Sequence, residues 1–184
     1  MLFEYLAFSP LSATLSRDSN LLWKMRLMML HQGLEDMFHF AMTLLSRRRF
    51  SSAQLEQHLR DRFAGFEHSE AWVKRTMQRL KTDEILNDNL FAQEIAVRYA
   101  SKGDSYIRNR LMELEFCPAT IDATLGRLEP EFDRALAAAA RQWERYQGDE
   151  DAGRLQSFLR SRGFDSTDYH QVRNRLAQEP HKNH

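Results

Sequence analysis

The chain has 184 residues, 26 basic and 26 acidic, and a formal net charge of zero. With 42% hydrophobic and 28% charged residues it can build a core, which excludes wholesale disorder. The neutral balance also excludes a uniformly basic, histone-like protein and an acidic solvating chain.

The single cysteine, Cys117, permits no internal disulfide, and no apolar run reaches the roughly 18 residues of a membrane span. The N-terminus lacks the basic start, apolar middle and small-residue cleavage site of a signal peptide. A cytoplasmic chain without membrane contact is the expectation. Few glycines and prolines, and apolar residues at three- and four-residue spacing, predict an all-α fold.

Residues 1–36 read either as an added helix packing on the first repeat or as a start codon placed too far upstream. Met25, Met28 and Met29 share one helix face there and are expected to pack. Residues 37–82 open with an amphipathic helix from Phe38 to Leu45, then Arg47, Arg48 and Arg49. Ser51 and Gln54 have the spacing of a capping box, and Leu55 and Leu59 follow, then Arg60, Arg62 and Phe63.

Residues 83–129 repeat the scheme. A helix spans Phe91 to Tyr99, Lys102-Gly103 follows, then Ile107, Leu111 and Phe116, then Ile121, Leu125 and Leu128. Residues 130–178 do so again, with a stripe of Phe132, Leu136, Ala140 and Trp143. Leu155, Leu159, Arg160, Arg162 and Phe164 come next, then Tyr169, Val172 and Leu176. Pro118 and Pro130 suit first helical turns; Ser69, Asp88, Ser105 and Asp165 suit N-caps. Residues 179–184 form a polar tail.

Each unit is thus three helices in about 45 to 50 residues, too short to bury much surface alone. Neighbouring units should lean on one another, which predicts an elongated row of three tandem three-helix, helix-turn-helix-like repeats with an extra N-terminal segment.

These stretches resemble the RecX family, regulators that restrain the RecA recombinase. The likeness rests on Ala41 to Leu59 with its Arg-rich turn, on Leu86-Asn87-Asp88-Asn89-Leu90-Phe91-Ala92, and on Lys102-Gly103 with Ile107 to Leu111. It ends on Phe158-Leu159-Arg160-Ser161-Arg162-Gly163-Phe164, and covers roughly residues 37–178 in order. Two departures stand out. The second glycine and the proline that follow Lys-Gly in the family are absent, and Leu114-Glu115 stands where the family has a second Lys-Gly. Acidic Asp104 and Glu115 therefore occupy a region expected to be basic.

The resemblance implies a non-enzymatic protein without cofactor or metal, expected as a monomer. It would lie in the groove of the RecA–DNA filament and oppose its extension, ATP hydrolysis, strand exchange and SOS-repressor cleavage. The candidate contact residues are Arg47, Arg48, Arg49, Arg60, Arg62, Lys102, Arg108, Arg110, Arg160 and Arg162. Each also has a plainer reading as a solvated charge complementing the C-terminal end of a helix.

Two other functions fit the same pattern. One is a helix-turn-helix-type DNA-binding protein, since residues 37–82 carry nine basic and four acidic side chains, which allows weak contact with single- or double-stranded DNA. The other is a generic helical-repeat scaffold. The seven histidines lack the i, i+4 pair with an intervening Glu that a zinc hydrolase requires, and no phosphate loop or nucleophilic triad is present. Cys117 reads as a small buried residue.

Overall fold

The computed structural model describes residues 17–143 and 152–178. Every regular element among them is a helix: α1 (Arg17–Arg47), α2 (Ser52–Arg62), α3 (Ser69–Thr82), α4 (Asp88–Arg98), α5 (Asp104–Glu113), α6 (Pro118–Leu125), α7 (Glu131–Trp143), α8 (Ala152–Ser161) and α9 (Ser166–Gln178). The fold is all-α. None of these helices is long and apolar enough to cross a membrane, and no cluster among the described residues could hold a metal ion.

The helix starts follow local chemistry. Ser51 takes the extended N-cap conformation, and its hydroxyl accepts a hydrogen bond from the Gln54 backbone N–H at 3.2 Å. The reciprocal half of the capping box is not made: Gln54 Oε1 is buried without a hydrogen-bond partner. Asn87, not Asp88, caps α4, accepting from Leu90 N at 3.1 Å. Ser69 and Ser105 lie inside the first turns of α3 and α5, whose N-caps are His68 and Gly103. Pro118 opens α6 as expected.

Three separate apolar cores line up along the chain. Met37, Ala41, Leu55, Leu59, Val73 and Leu80 form the first, between α1, α2 and α3. Ala92, Ile95, Ile107, Leu111 and Ile121 form the second, within α4, α5 and α6. Ala135, Ala139, Leu155, Leu159, Val172 and Leu176 form the third, within α7, α8 and α9. The two anchors of each middle helix, Leu55 and Leu59, Ile107 and Leu111, Leu155 and Leu159, are at most 2% exposed. Full burial of each such side chain stabilises by about 1.5–3 kcal/mol, so these pairs hold each unit closed. The extensive helix–helix interfaces all lie within a unit.

Two expectations change. Leu86 packs in the first core although it lies beyond residue 82. In α7 the inward face is Ala135, Ala138 and Ala139, while Phe132, Leu136 and Trp143 flank it half-buried and Ala140 is exposed. Small side chains there let α8 and α9 approach closely, and the larger ones close the edges.

The N-terminal stretch is resolved from Arg17 onward as the first part of α1, continuous with the helix that carries Met37 and Ala41. Leu30 and Leu34 pack against the first core, and Glu35 Oε1 lies 3.5 Å from Arg79 Nη1 of α3. Gly33 is required at its position, since a Cβ there would sit 2.3 Å from the Trp72 ring. Met25, Met28 and Met29, expected to pack, are exposed. The remainder of the extension, residues 1–16, and the polar tail, 179–184, lie outside the described residues.

The ends of α5 and α8 share one geometry. Phe116 N donates to Leu111 O and Phe164 N to Leu159 O, both at 3.2 Å, closing a loop through one left-handed residue. In α8 that residue is Gly163, φ +78°, and in α5 it is Glu115, φ +60°. A left-handed backbone strains any residue with a Cβ, and the Glu115 carboxylate also faces the negative end of its own helix. Glu115→Gly is expected to stabilise the protein by about 1 kcal/mol, read as a higher urea midpoint at unchanged slope.

Candidate functional site

The ten candidate cations divide by what they touch. Arg49 Nη1 pairs with Glu94 Oε1 at 2.7 Å, and Arg60 with Glu56 at 2.6 Å and Glu70 at 3.4 Å. Arg108 pairs with Asp122 at 2.7 Å and Arg110 with Glu113 at 2.6 Å. The Glu113 hydrogen bond raises the Arg110 pKa above its ordinary value. Arg48 lies 3.8 Å over the Phe50 ring and Arg162 4.4 Å over Phe158, both within cation–π range. Arg62 is 5.9 Å from the Phe40 and Phe63 rings, and Lys102 Nζ is 5.1 Å from Tyr106. Arg47 and Arg160 are exposed and have no partner among the described residues.

Their positions in the repeat also differ. Arg60 and Arg62 follow buried Leu59 by one and three residues, as Arg160 and Arg162 follow buried Leu159. Arg108 and Arg110 instead precede buried Leu111, and Met112 and Leu114 occupy the equivalent sites. The first and third units share a basic helix end; the middle unit lacks it.

Part of the Arg-rich turn and of the Lys-Gly and Arg-Gly-Phe stretches belongs to the joints between units. At the first joint the Ser52 backbone N–H donates to Asp88 Oδ1 at 2.8 Å. At the second the Asp104 backbone N–H donates to Glu131 Oε1 at 3.0 Å. Ser52 and Asp104 open α2 and α5; Asp88 and Glu131 open α4 and α7. Each joint therefore places one carboxylate at the start of two helices at once. There it satisfies an amide that has no intrahelical acceptor and sits at the positive end of both dipoles.

The second joint carries more. Gly103 N donates to Arg162 O at 2.9 Å, and the turns touch so closely that a Cβ on Gly103 would fall 2.0 Å from Gly163 O. Arg134 of α7, 5% exposed, reaches across it. Its Nε donates to Glu129 O at 2.9 Å, its Nη1 to Ala100 O at 3.3 Å and to Lys102 O, and its Nη2 to the Asp104 carboxylate. Asp104 is thus the counter-ion of a buried guanidinium rather than a stray acidic surface charge.

Sequence reading missed Arg134. The signal available was a lone arginine directly before the alanine face of α7. Cys117 is corrected as well: it is exposed, at the N-cap of α6, with Sγ 3.2 Å from Thr120 Oγ1. The Thr120 hydroxyl and backbone N–H lower its pKa from the ordinary thiol value.

Three tandem three-helix units, joined through carboxylates shared between helix starts, define a helical-repeat protein. Two solved structures have this architecture. A crystal structure of RecX from Lactobacillus salivarius matches with a TM-score of 0.67 at 14% identity, over 81% of this chain and 99% of that one. A crystal structure of regulatory protein RecX matches with a TM-score of 0.63 at 17% identity, over 82% of this chain and 77% of that one. The chain has the RecX fold. No family model matches the sequence, and no curated protein matches it.

Arg134→Ala is expected to cost about 3 kcal/mol in urea unfolding, since it removes the counter-ion of Asp104 and the bonds to three backbone carbonyls. Arg110→Ala, which removes a solvent-exposed pair, should cost under about 0.5 kcal/mol. The Cys117 thiol is expected to react with iodoacetamide at neutral pH faster than glutathione does, and Thr120→Val should slow it.

Proposed function

We propose that this chain is a RecX-type regulator that binds the RecA–DNA filament and restrains RecA's recombinase, ATPase and coprotease activities. On this reading it modulates recombinational repair and the SOS response. The observation that carries the proposal is the fold match over four-fifths of the chain, 81% and 82%, to RecX structures, one of them described as a regulatory protein. A row of units suits a long groove: several modest contacts on one body act together, so no single one must be strong. The proposed role needs no catalytic group or cofactor in this chain; the nucleotide chemistry would be RecA's.

The internal pairing of the cations narrows the proposed interface. Arg47 and Arg160 have no internal partner among the described residues, and Arg48 and Arg162 rest on aromatic rings that fix them without neutralising them. These four, from the first and third units, are the proposed main contacts, with Arg60 and Arg62 beside them. Arg49, Lys102, Arg108 and Arg110 contribute less because their charges are engaged or their turn is packed in a joint.

The test is a titration of purified protein into RecA on single-stranded DNA, following ATP hydrolysis and filament assembly together. Suppression at or below equal ratios is expected; an unchanged ATPase rate and filament length would overturn the proposal. The pair Arg47→Glu and Arg160→Glu should raise the concentration for half-inhibition about tenfold, about 1.4 kcal/mol, with helicity unchanged. A steep salt dependence of affinity for bare DNA would instead favour DNA as the direct partner.

A further inference from the structure

A groove of about 870 Å³ runs between the N-terminal half of α1 and the start of α3, away from every cation assigned above. Met28, Leu34 and Trp72 give it an apolar floor, and His31, Lys74 and Arg75 stand along its rim. Met28 and, next to it, Met29 are 74% and 68% exposed. Met25, Met28, Met29 and Gln32 follow one helix face at i, i+3, i+4 and i+7. Phe66, just before α3, is 55% exposed and stacks toward Trp72 at 6.0 Å. Such a run of large apolar side chains on an open surface marks an interaction site, and methionine adapts readily to the shape of a partner.

Charge identifies the partner. Among the described residues, no side chain lining the groove is acidic, and Lys74 and Arg75 have no ion pair. The neighbouring groove between α2 and α3 is different. Its lining includes the acids Glu56 and Glu70, which hold Arg60, so an acidic partner would meet carboxylates there. A bare nucleic acid backbone would match the cations of the first groove and leave its methionines uncovered. A second copy docking the same face would set Lys74 and Arg75 against their own equivalents, which a two-fold contact forbids unless acids are interleaved. The chain's own residues 1–16 bring a single acid, Glu4.

We infer that the groove between α1 and α3 is a docking site for an amphipathic helix of a partner protein, its apolar face flanked by acidic side chains. The mode is helix-in-groove: apolar anchors at helical spacing enter between Met28 and Trp72, and carboxylates on either side meet Lys74 and Arg75. This site is separate from the proposed filament contacts, so either can fail without the other.

The test displays helical peptides of about 18 residues, with leucines fixed at i, i+3, i+4 and i+7 and flanking positions free to be Glu, Gln or Lys, against the full-length protein. Enrichment of Glu at the flanks is expected. The enriched peptide, measured by fluorescence anisotropy, should lose at least tenfold in affinity toward Lys74→Glu/Arg75→Glu and toward Met28→Ser/Met29→Ser. Lys81→Glu/Arg98→Glu, the same charge change elsewhere, should bind as the parent does. Circular dichroism on every variant separates lost binding from lost folding. Enrichment of neutral or basic flanks, no binder at all, or equal affinity for parent and Lys74→Glu/Arg75→Glu overturns the inference. So does displacement of the peptide by a synthetic copy of residues 1–16, or a dimer in sedimentation that Met28→Glu dissolves.

Discussion

A guanidinium taken out of water is costly unless every donor finds an acceptor, and Arg134 is the place where this protein accepts that cost. Its nitrogens reach three backbone carbonyls, from Glu129, Ala100 and Lys102, and the Asp104 carboxylate. Those carbonyls lie in the turn between α4 and α5 and in the turn between α6 and α7, where helix ends leave acceptors unused. One side chain therefore ties together the chain entering α5, the chain leaving α6 and the start of α7. A hydrophobic residue at the same position would forfeit those bonds and leave the half-buried Asp104 carboxylate without its counter-ion.

The same demand explains why the joints recur. A unit of about 50 residues cannot bury enough surface to fix its neighbour by apolar contact alone, so orientation depends on a few directed polar bonds. Asp88 and Glu131 provide them in equivalent places, each opening a helix of the next unit while accepting the first amide of α2 or α5. The two joints are unequal in strength. Among the described residues the first adds Arg49, paired with Glu94 and 5.9 Å from the Phe91 ring. The second adds Arg134, a backbone bond and two turns in contact at Gly103 and Gly163. The second and third units are thus held as a stiffer pair, with the first attached through fewer bonds that solvent and salt reach readily.

Much of the fold was legible because hydrophobic periodicity reports burial directly. The anchor pairs Leu55 and Leu59, Ile107 and Leu111, Leu155 and Leu159 follow a helical spacing that only a core explains, and they are the most buried positions of the middle helices. The joints were not legible for the same reason in reverse. Asp88, Asp104, Glu131 and Arg134 look like ordinary surface charges in a sequence, because their pairing depends on residues 27 to 36 positions away. The α7 stripe was misread because aromatic residues dominate any hydropathy pattern, whereas close packing selected the alanines. Met25, Met28 and Met29 have a packing pattern, but α3 begins too late along α1 to cover them.

The net charge of zero is the sum of unequal parts: −1 for residues 1–36, +5 for 37–82, −4 for 83–129 and 0 for 130–184. The pairings show where part of the middle unit's acidity is engaged. Asp88 and Asp104 are occupied by the joints, Glu94 by Arg49 and Asp122 by Arg108. These carboxylates of the second unit are engaged inside the row, whereas Glu84, Glu115 and Glu129 stay exposed. Cations without internal partners among the described residues include Arg47, Lys74, Arg75 and Arg160 in the first and third units and Arg98 and Arg127 in the second. On the proposed reading, the contacts of the first and third units act as a pair, at a separation the joints determine. Loosening a joint would then weaken a two-ended contact as effectively as removing a charge, because it lowers the effective concentration of the second end once the first is bound.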